Sequence, residues 1–276
     1  MTAYITYIDD SWSRGRVFTL GGYLATREVW EEMAPKWCAM LHSGPSKVSE
    51  FKTSDCRQKQ GEFKLWGDKD KDRITRTAVD CVTSLPPPGL SGLAVSIAMP
   101  SGFESGYGRK ISEDLAFRYC LLHYLGLVAL FASAAFNAND SLEVVIDEKS
   151  GFRGVTDRVF RGICSAVGLE GATHRWAKSH ADWPLQVADL IAYETAKEAG
   201  ERLTEGGRPV SRALERLVGH GQHIASCCFL EDYKEHVMRG QQEAVNTILG
   251  LPCLYASGHE WRSSAQWPKR RWGYST

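Results

Sequence analysis

Near the amino terminus two β-rich runs, residues 3–9 (AYITYID) and 16–24 (RVFTLGGYL), flank the short polar link DDSWSRG. Such a link between β-rich runs predicts an antiparallel hairpin. The pattern then changes to alternation. Trp30, Met33, Ala34, Trp37 and Leu41 fall at helical spacing, which predicts a helix over about 28–41 with Pro35 in its first turn. Residues 48–54 (VSEFKTS) suit strand or helix. The charged run DKDKD opens a helix from 68 to about 84, a solvated start that the triple proline at 86–88 brings to an end. Strand signals follow at 91–99, 142–147 and 172–177. Helical signals follow at 110–136, 155–167, 183–202, 209–218 and 231–249. A hairpin followed by strand–helix alternation implies an α/β fold, a mixed sheet flanked by helices. The expected organisation is one α/β domain over 1–205, with a helical C-terminal extension over 206–276 packed on it.

Composition narrows the function. Lys+Arg and Asp+Glu are equal at 33 each, and 43% of the 276 residues are hydrophobic. That excludes a disordered chain and a uniformly basic protein that coats nucleic acid by bulk charge. Contact with phosphates would need local clusters or bound metal. The longest apolar stretch, residues 119–136, falls short of the usual span of about twenty and contains His123, so it reads as a buried helix. The opening MTAYITYIDD carries no basic leader or cleavage site. Eight scattered cysteines form no C-x-x-C pair and lie mostly in apolar stretches, as reduced core cysteines do. A cytoplasmic location with no membrane partner is expected.

Four groups of acids stand out. Two strand patterns run into carboxylate pairs, ITYIDD with Asp9 and Asp10, and LEVVIDE with Asp147 and Glu148. In open α/β sheets chemistry gathers at the carboxyl ends of strands, although an acid there also serves as a turn starter or helix cap. Asp189 lies within PLQVADLIAY, where helical spacing puts it beside Leu185, Ala188 and Ala192 on a buried stripe. A carboxylate there requires a cation, a metal or several donors. Glu50, in SEFKTSD, reads alone as a surface acid two residues from Lys52. Together, four separated acids suit Mg2+ or Mn2+, hard cations with oxygen ligands. Two such ions clamp the attacking and leaving oxygens of a phosphodiester displacement.

With these segments in view, the chain resembles the domain of unknown function 3800 family, whose members are expected to be ribonuclease H-like. YIDDS with FTLGGYL, SEFKTSD, EVVIDEKSG and KSHADWPLQVADLIAYE carry the resemblance, across about residues 3–197. It implies a ribonuclease H-like fold and a metal-dependent nuclease, with Asp9, Glu50, Asp147 and Asp189 as catalytic metal ligands for two Mg2+ or Mn2+ ions. Lys52 and Gln186 match motif positions that would contact substrate or orient a carboxylate, and Asp10, Glu148 and Lys178 are further candidates for contacting substrate or supporting the ligands. One departure is Asp9-Asp10-Ser11 in place of the family's Asp-Glu-Ser.

The expected partner is therefore nucleic acid, DNA or RNA. The alternatives are a catalytically inactive nucleic-acid- or partner-binding protein on the same fold, and a metal-free pair of carboxylates acting on sugars. Weaker signals are the cluster His220, His223, Cys227 and Cys228; the basic residues His174 and Arg175; Arg153, Arg158 and Arg161; and the tail WPKRRW at 267–272. Each also has a structural reading, as core cysteines, solvated faces or an aromatic strap.

Overall fold

The opening hairpin forms, and it is longer than its β-rich runs suggest. The structure, a computed structural model, describes residues 2–13, 17–85, 89–98, 109–137, 139–148, 157, 160–165, 168–205, 211–219 and 223–229. Strand β1 (Ala3–Ser13) pairs antiparallel with β2 (Val17–Thr26) from Tyr4–Thr26 through Ser13–Val17. Asp9 and Asp10 thus lie inside the hairpin, not at its end. Trp12 sits opposite Phe18, ring centroids 5.0 Å apart, and this cross-strand aromatic pair carries the ladder past the acids.

Strand β3 (Ser91–Ala98) joins β2 antiparallel, and β4 (Ser141–Asp147) joins the other side of β1 in parallel. Outside these lie β5 (Thr173–Ala177), parallel to β4, and β6 (His223–Phe229), parallel to β3. The order is β5-β4-β1-β2-β3-β6, a mixed six-stranded sheet. Its helices are α1 (Arg27–Leu41), α2 (Thr53–Gln58), α3 (Asp68–Thr83), α4 (Arg109–Ala135), α5 (Pro184–Glu205) and α6 (Arg212–Gly219).

Strand alternation divides the interior into two cores. Ile5 and Tyr7 of β1 pack with Trp30 and Trp37 of α1 and Leu185 and Ile191 of α5. Ile8, on the opposite face, packs with Phe117, Leu121 and Leu125 of α4. The apolar stretch of α4 is thus spent on the sheet, and among the described residues no helix is long and apolar enough to cross a membrane. Cys56, Cys81, Cys120 and Cys164 are buried and free, and Cys38 is exposed and free. Burial pushes the Cys164 thiol up to about 11.

Three local expectations change. Pro35 lies inside α1 rather than in its first turn. It is exposed, as is Glu31, so the Glu31 carbonyl that the ring leaves without an amide meets water. Residues 48–52 are neither strand nor helix, and α2 starts only at Thr53. The extension after 205 is not wholly helical. It contributes α6 and then β6, whose main chain completes the edge of β3. The helix expected over 155–167 is described only at 157 and 160–165, where it is helical. That expected over 231–249 lies outside the described residues.

Buried phenols set an alkaline limit on this fold. Burial pushes Tyr23 and Tyr124 well above their ordinary range, and it pushes Tyr7 up to about 12, with the Asp182 charge adding to it. The native state keeps these protons, whereas an unfolded tyrosine releases its proton at about 10. Stability is therefore complete below about pH 10 and falls as pH rises towards 12. Near-ultraviolet phenolate absorbance should show these tyrosines ionising only as tertiary circular dichroism is lost. Reversible ionisation of all three near pH 10 in a folded protein would contradict this.

Candidate functional site

Asp9 and Asp147 come together through strand register. The last parallel pair between β1 and β4 is Ile8–Ile146, so the two aspartates are the next residues on adjacent strands, about 4.8 Å apart in backbone spacing. Ile5 and Tyr7 face α1 and α5, and alternation sends Asp9 to the same face. Val145 faces that side too, which places Asp147 there. Asp9 is 7% exposed, and its Oδ1 accepts the Asp10 amide at 2.7 Å. Asp10, Asp147 and Glu148 are half-buried. The Glu148 amide donates to the Ala177 carbonyl at 2.7 Å, which holds the end of β4 against β5.

The third acid arrives on α5. Gly21 pairs with Asp9 across the hairpin and therefore shares its face. A methyl on Gly21 would lie 2.7 Å from Ala192 Cα and 2.8 Å from its nitrogen. The helix backbone thus rests directly on the strand beside Asp9. Asp189 is one turn before Ala192, half-buried, and its Oδ2 accepts the Thr53 amide at 2.7 Å. Gly21→Ala is expected to lift α5 off β2, costing about 1–3 kcal/mol by overpacking. Urea denaturation would measure this, and a stability equal to wild type would refute the close approach.

The Glu50 carboxylate is engaged by two side chains. It accepts a hydrogen bond from the Ser179 hydroxyl, and its Oε1 lies 3.9 Å from Lys52 Nζ. Gln186, 1% exposed, fixes the chain around it. Gln186 Oε1 accepts from both Trp37 Nε1 and the Phe51 amide at 3.0 Å, and its Nε2 donates to the Ser179 carbonyl at 3.0 Å. Gln186 is thus sealed from any substrate, and it orients the two segments that meet at Glu50. Lys52 is exposed at the start of α2, and Lys178 is exposed with its carbonyl capping the Ala181 and Asp182 amides.

Main-chain register and helix packing therefore bring Asp9, Asp147 and Asp189 to one face, with Glu50 joined to it through α2 and Gln186. Their oxygens are the donors a hard cation takes. As the side chains stand, no group of three or more His, Cys, Asp or Glu among the described residues is arranged to hold a metal ion. The other basic candidates are engaged elsewhere. Arg175 pairs with Glu143 at 2.8 Å and with Asp182, and His174 Nε2 meets Asp157 Oδ1 at 2.8 Å. The Arg161 Nε donates to the Asp157 carbonyl at 3.3 Å. Arg153, Arg158, His220 and the 267–272 tail lie outside the described residues.

Two contributors escaped the sequence reading. Ser179 and Thr53 sit inside the quoted motifs KSH and KTSD, but a hydroxyl carries little signal and a backbone amide carries none. No protein-family model matches this chain, and no curated protein matches it in sequence.

Proposed function

We propose that this chain is a ribonuclease H-like, metal-dependent nuclease that hydrolyses phosphodiester bonds of DNA or RNA. The observation that carries the reading is the placement of Asp9 and Asp147 on neighbouring parallel strands beneath the helix that bears Asp189. The strand order supports it, with an antiparallel β1–β2–β3 unit extended through β1 by the parallel strands β4 and β5. Asp9, Asp147 and Asp189 would hold Mg2+ or Mn2+, with Glu50 as a further ligand. Bound there, such ions polarise the phosphoryl group and activate the attacking water.

The residues of the chain do the positioning. The Thr53 amide fixes one oxygen of Asp189. The Asp10 amide does the same for Asp9. Gln186 holds Phe51 and Ser179, and through them the height of Glu50 above this face. Burial of Asp9 keeps its charge from being dissipated in solvent.

A second reading, a non-catalytic binding protein on the same fold, is favoured by the ties of Glu50 to Ser179 and Lys52 and by the lack of a three-acid group among the described residues. One experiment separates the two. Purified full-length protein is incubated with labelled single- and double-stranded oligonucleotides, in DNA and RNA form, with Mg2+, Mn2+ or EDTA. Cleavage that depends on metal supports the nuclease. Binding without cleavage under every metal condition supports the second reading.

A further inference from the structure

Between α2, α3 and α6 the fold forms an open cleft of about 540 Å3. Its wall presents four arginines, Arg57, Arg76, Arg212 and Arg216, against a single acid, Asp72. Val79 and Ala213 add an aliphatic part to the lining, and the arginines give it the charge to take an anion. Two arginines are structural. Arg57 meets Glu194 at 3.0 Å and Asp72 at 3.6 Å, and Arg216 pairs with Asp80. Arg76 and Arg212 are exposed, and among the described residues neither has an ion pair. Arg57 Nε is buried without a hydrogen-bond acceptor. Ser211 caps α6, its Oγ accepting the Leu214 amide at 3.1 Å and donating to Glu194 at 2.7 Å. The Ser211 amide also donates to Glu198 Oε2 at 3.4 Å, so two buried carboxylates hold the start of that helix at the cavity edge. Planar guanidinium forks of this kind match phosphate oxygens.

The cavity is tied to the acid face by two helices. Thr53, at the start of α2, binds Asp189, and Arg57 lies one turn further along α2. Glu194, the partner of Arg57, is five residues beyond Asp189 on α5, about 7.5 Å along the helix.

We propose that this cavity holds a backbone phosphate of a nucleic-acid strand whose neighbouring bond is presented to the acid face. The inference deepens the nuclease reading and rests on it for the identity of the strand. It also explains how a chain without net charge engages a polyanion, through a local cluster rather than overall charge.

The test measures fluorescence anisotropy of a labelled single-stranded oligonucleotide with full-length protein in EDTA, across a salt series, so that binding is read without hydrolysis. Arg76→Glu/Arg212→Glu should weaken binding about tenfold or more and reduce the salt dependence by between one and two ions. Circular dichroism melting should remain as in wild type, since neither side chain carries a described ion pair. Arg76→Lys/Arg212→Lys should recover part of the affinity. Unchanged affinity and salt slope in the Glu variant would overturn the proposal. So would stabilisation of the wild type by inorganic phosphate alone, with oligonucleotide binding insensitive to both substitutions. An oligonucleotide effect without metal-dependent cleavage would retain the cavity assignment and overturn the nuclease. Cleavage with binding insensitive to the substitutions would do the reverse.

Discussion

Asp9→Asn and Asp189→Asn are each expected to reduce metal-dependent phosphodiester hydrolysis by about a thousandfold, equivalent to about 4 kcal/mol of transition-state stabilisation. The change is nearly isosteric and leaves the fold's own hydrogen bonds available. An asparagine oxygen at 189 still accepts the Thr53 amide, and one at 9 still accepts the Asp10 amide. What disappears is the negative charge that a hard cation requires. Glu50→Gln should lose less, about tenfold, because Ser179 and Lys52 already engage that carboxylate. Measuring kcat/KM beside thermal melting separates loss of chemistry from loss of fold. Retention of more than about a tenth of wild-type kcat/KM by a folded Asp9→Asn, Asp189→Asn double variant would remove the acid face from the mechanism.

Gln186→Leu should cost about 3–6 kcal/mol of stability, from three buried groups each left without a partner. The side chain is near the volume of glutamine and fits an apolar surround. The loss comes from Trp37 Nε1, the Phe51 amide and the Ser179 carbonyl, all bonded to Gln186 at 3.0 Å. Trp37 and Phe51 are 1% and 0% exposed, so water cannot take over. A domain holds about 5–15 kcal/mol in total, so this single change brings the protein close to unfolding at growth temperature. Gln186→Glu keeps the acceptor for Trp37 and Phe51 but sets a buried carboxylate against the Ser179 carbonyl, so it should also destabilise, and more at neutral than at acidic pH. Urea midpoints at constant slope report the difference. A cost below about 1 kcal/mol for the leucine variant would show that the three groups find other partners.

The sequence made the acid segments visible because each departs from its local pattern. Asp189 interrupts an apolar helical stripe, and Asp147 follows the apolar run of β4. Glu50 was the least legible on its own. Its segment is irregular, and what gives it a place is Ser179, 129 residues away, and Gln186, which bonds the next residue. The hairpin was correctly expected but ended too early, since the Trp12–Phe18 pairing depends on register and not on composition. The basic cavity left no sequence trace at all. Arg57, Arg76, Arg212 and Arg216 are spread over three helices, α2, α3 and the distant α6.

The sequence by itself determined the α/β class and the identity of the acids. Those follow from periodicity and residue chemistry, which are local along the chain. Only the tertiary structure decided that Asp9 and Asp147 are strand neighbours, that Gly21 lets α5 bring Asp189 down beside them, and that Gln186 serves Glu50 rather than substrate. These are matters of register, interhelix distance and burial. They are set by contacts between residues far apart in sequence, and no local pattern encodes them.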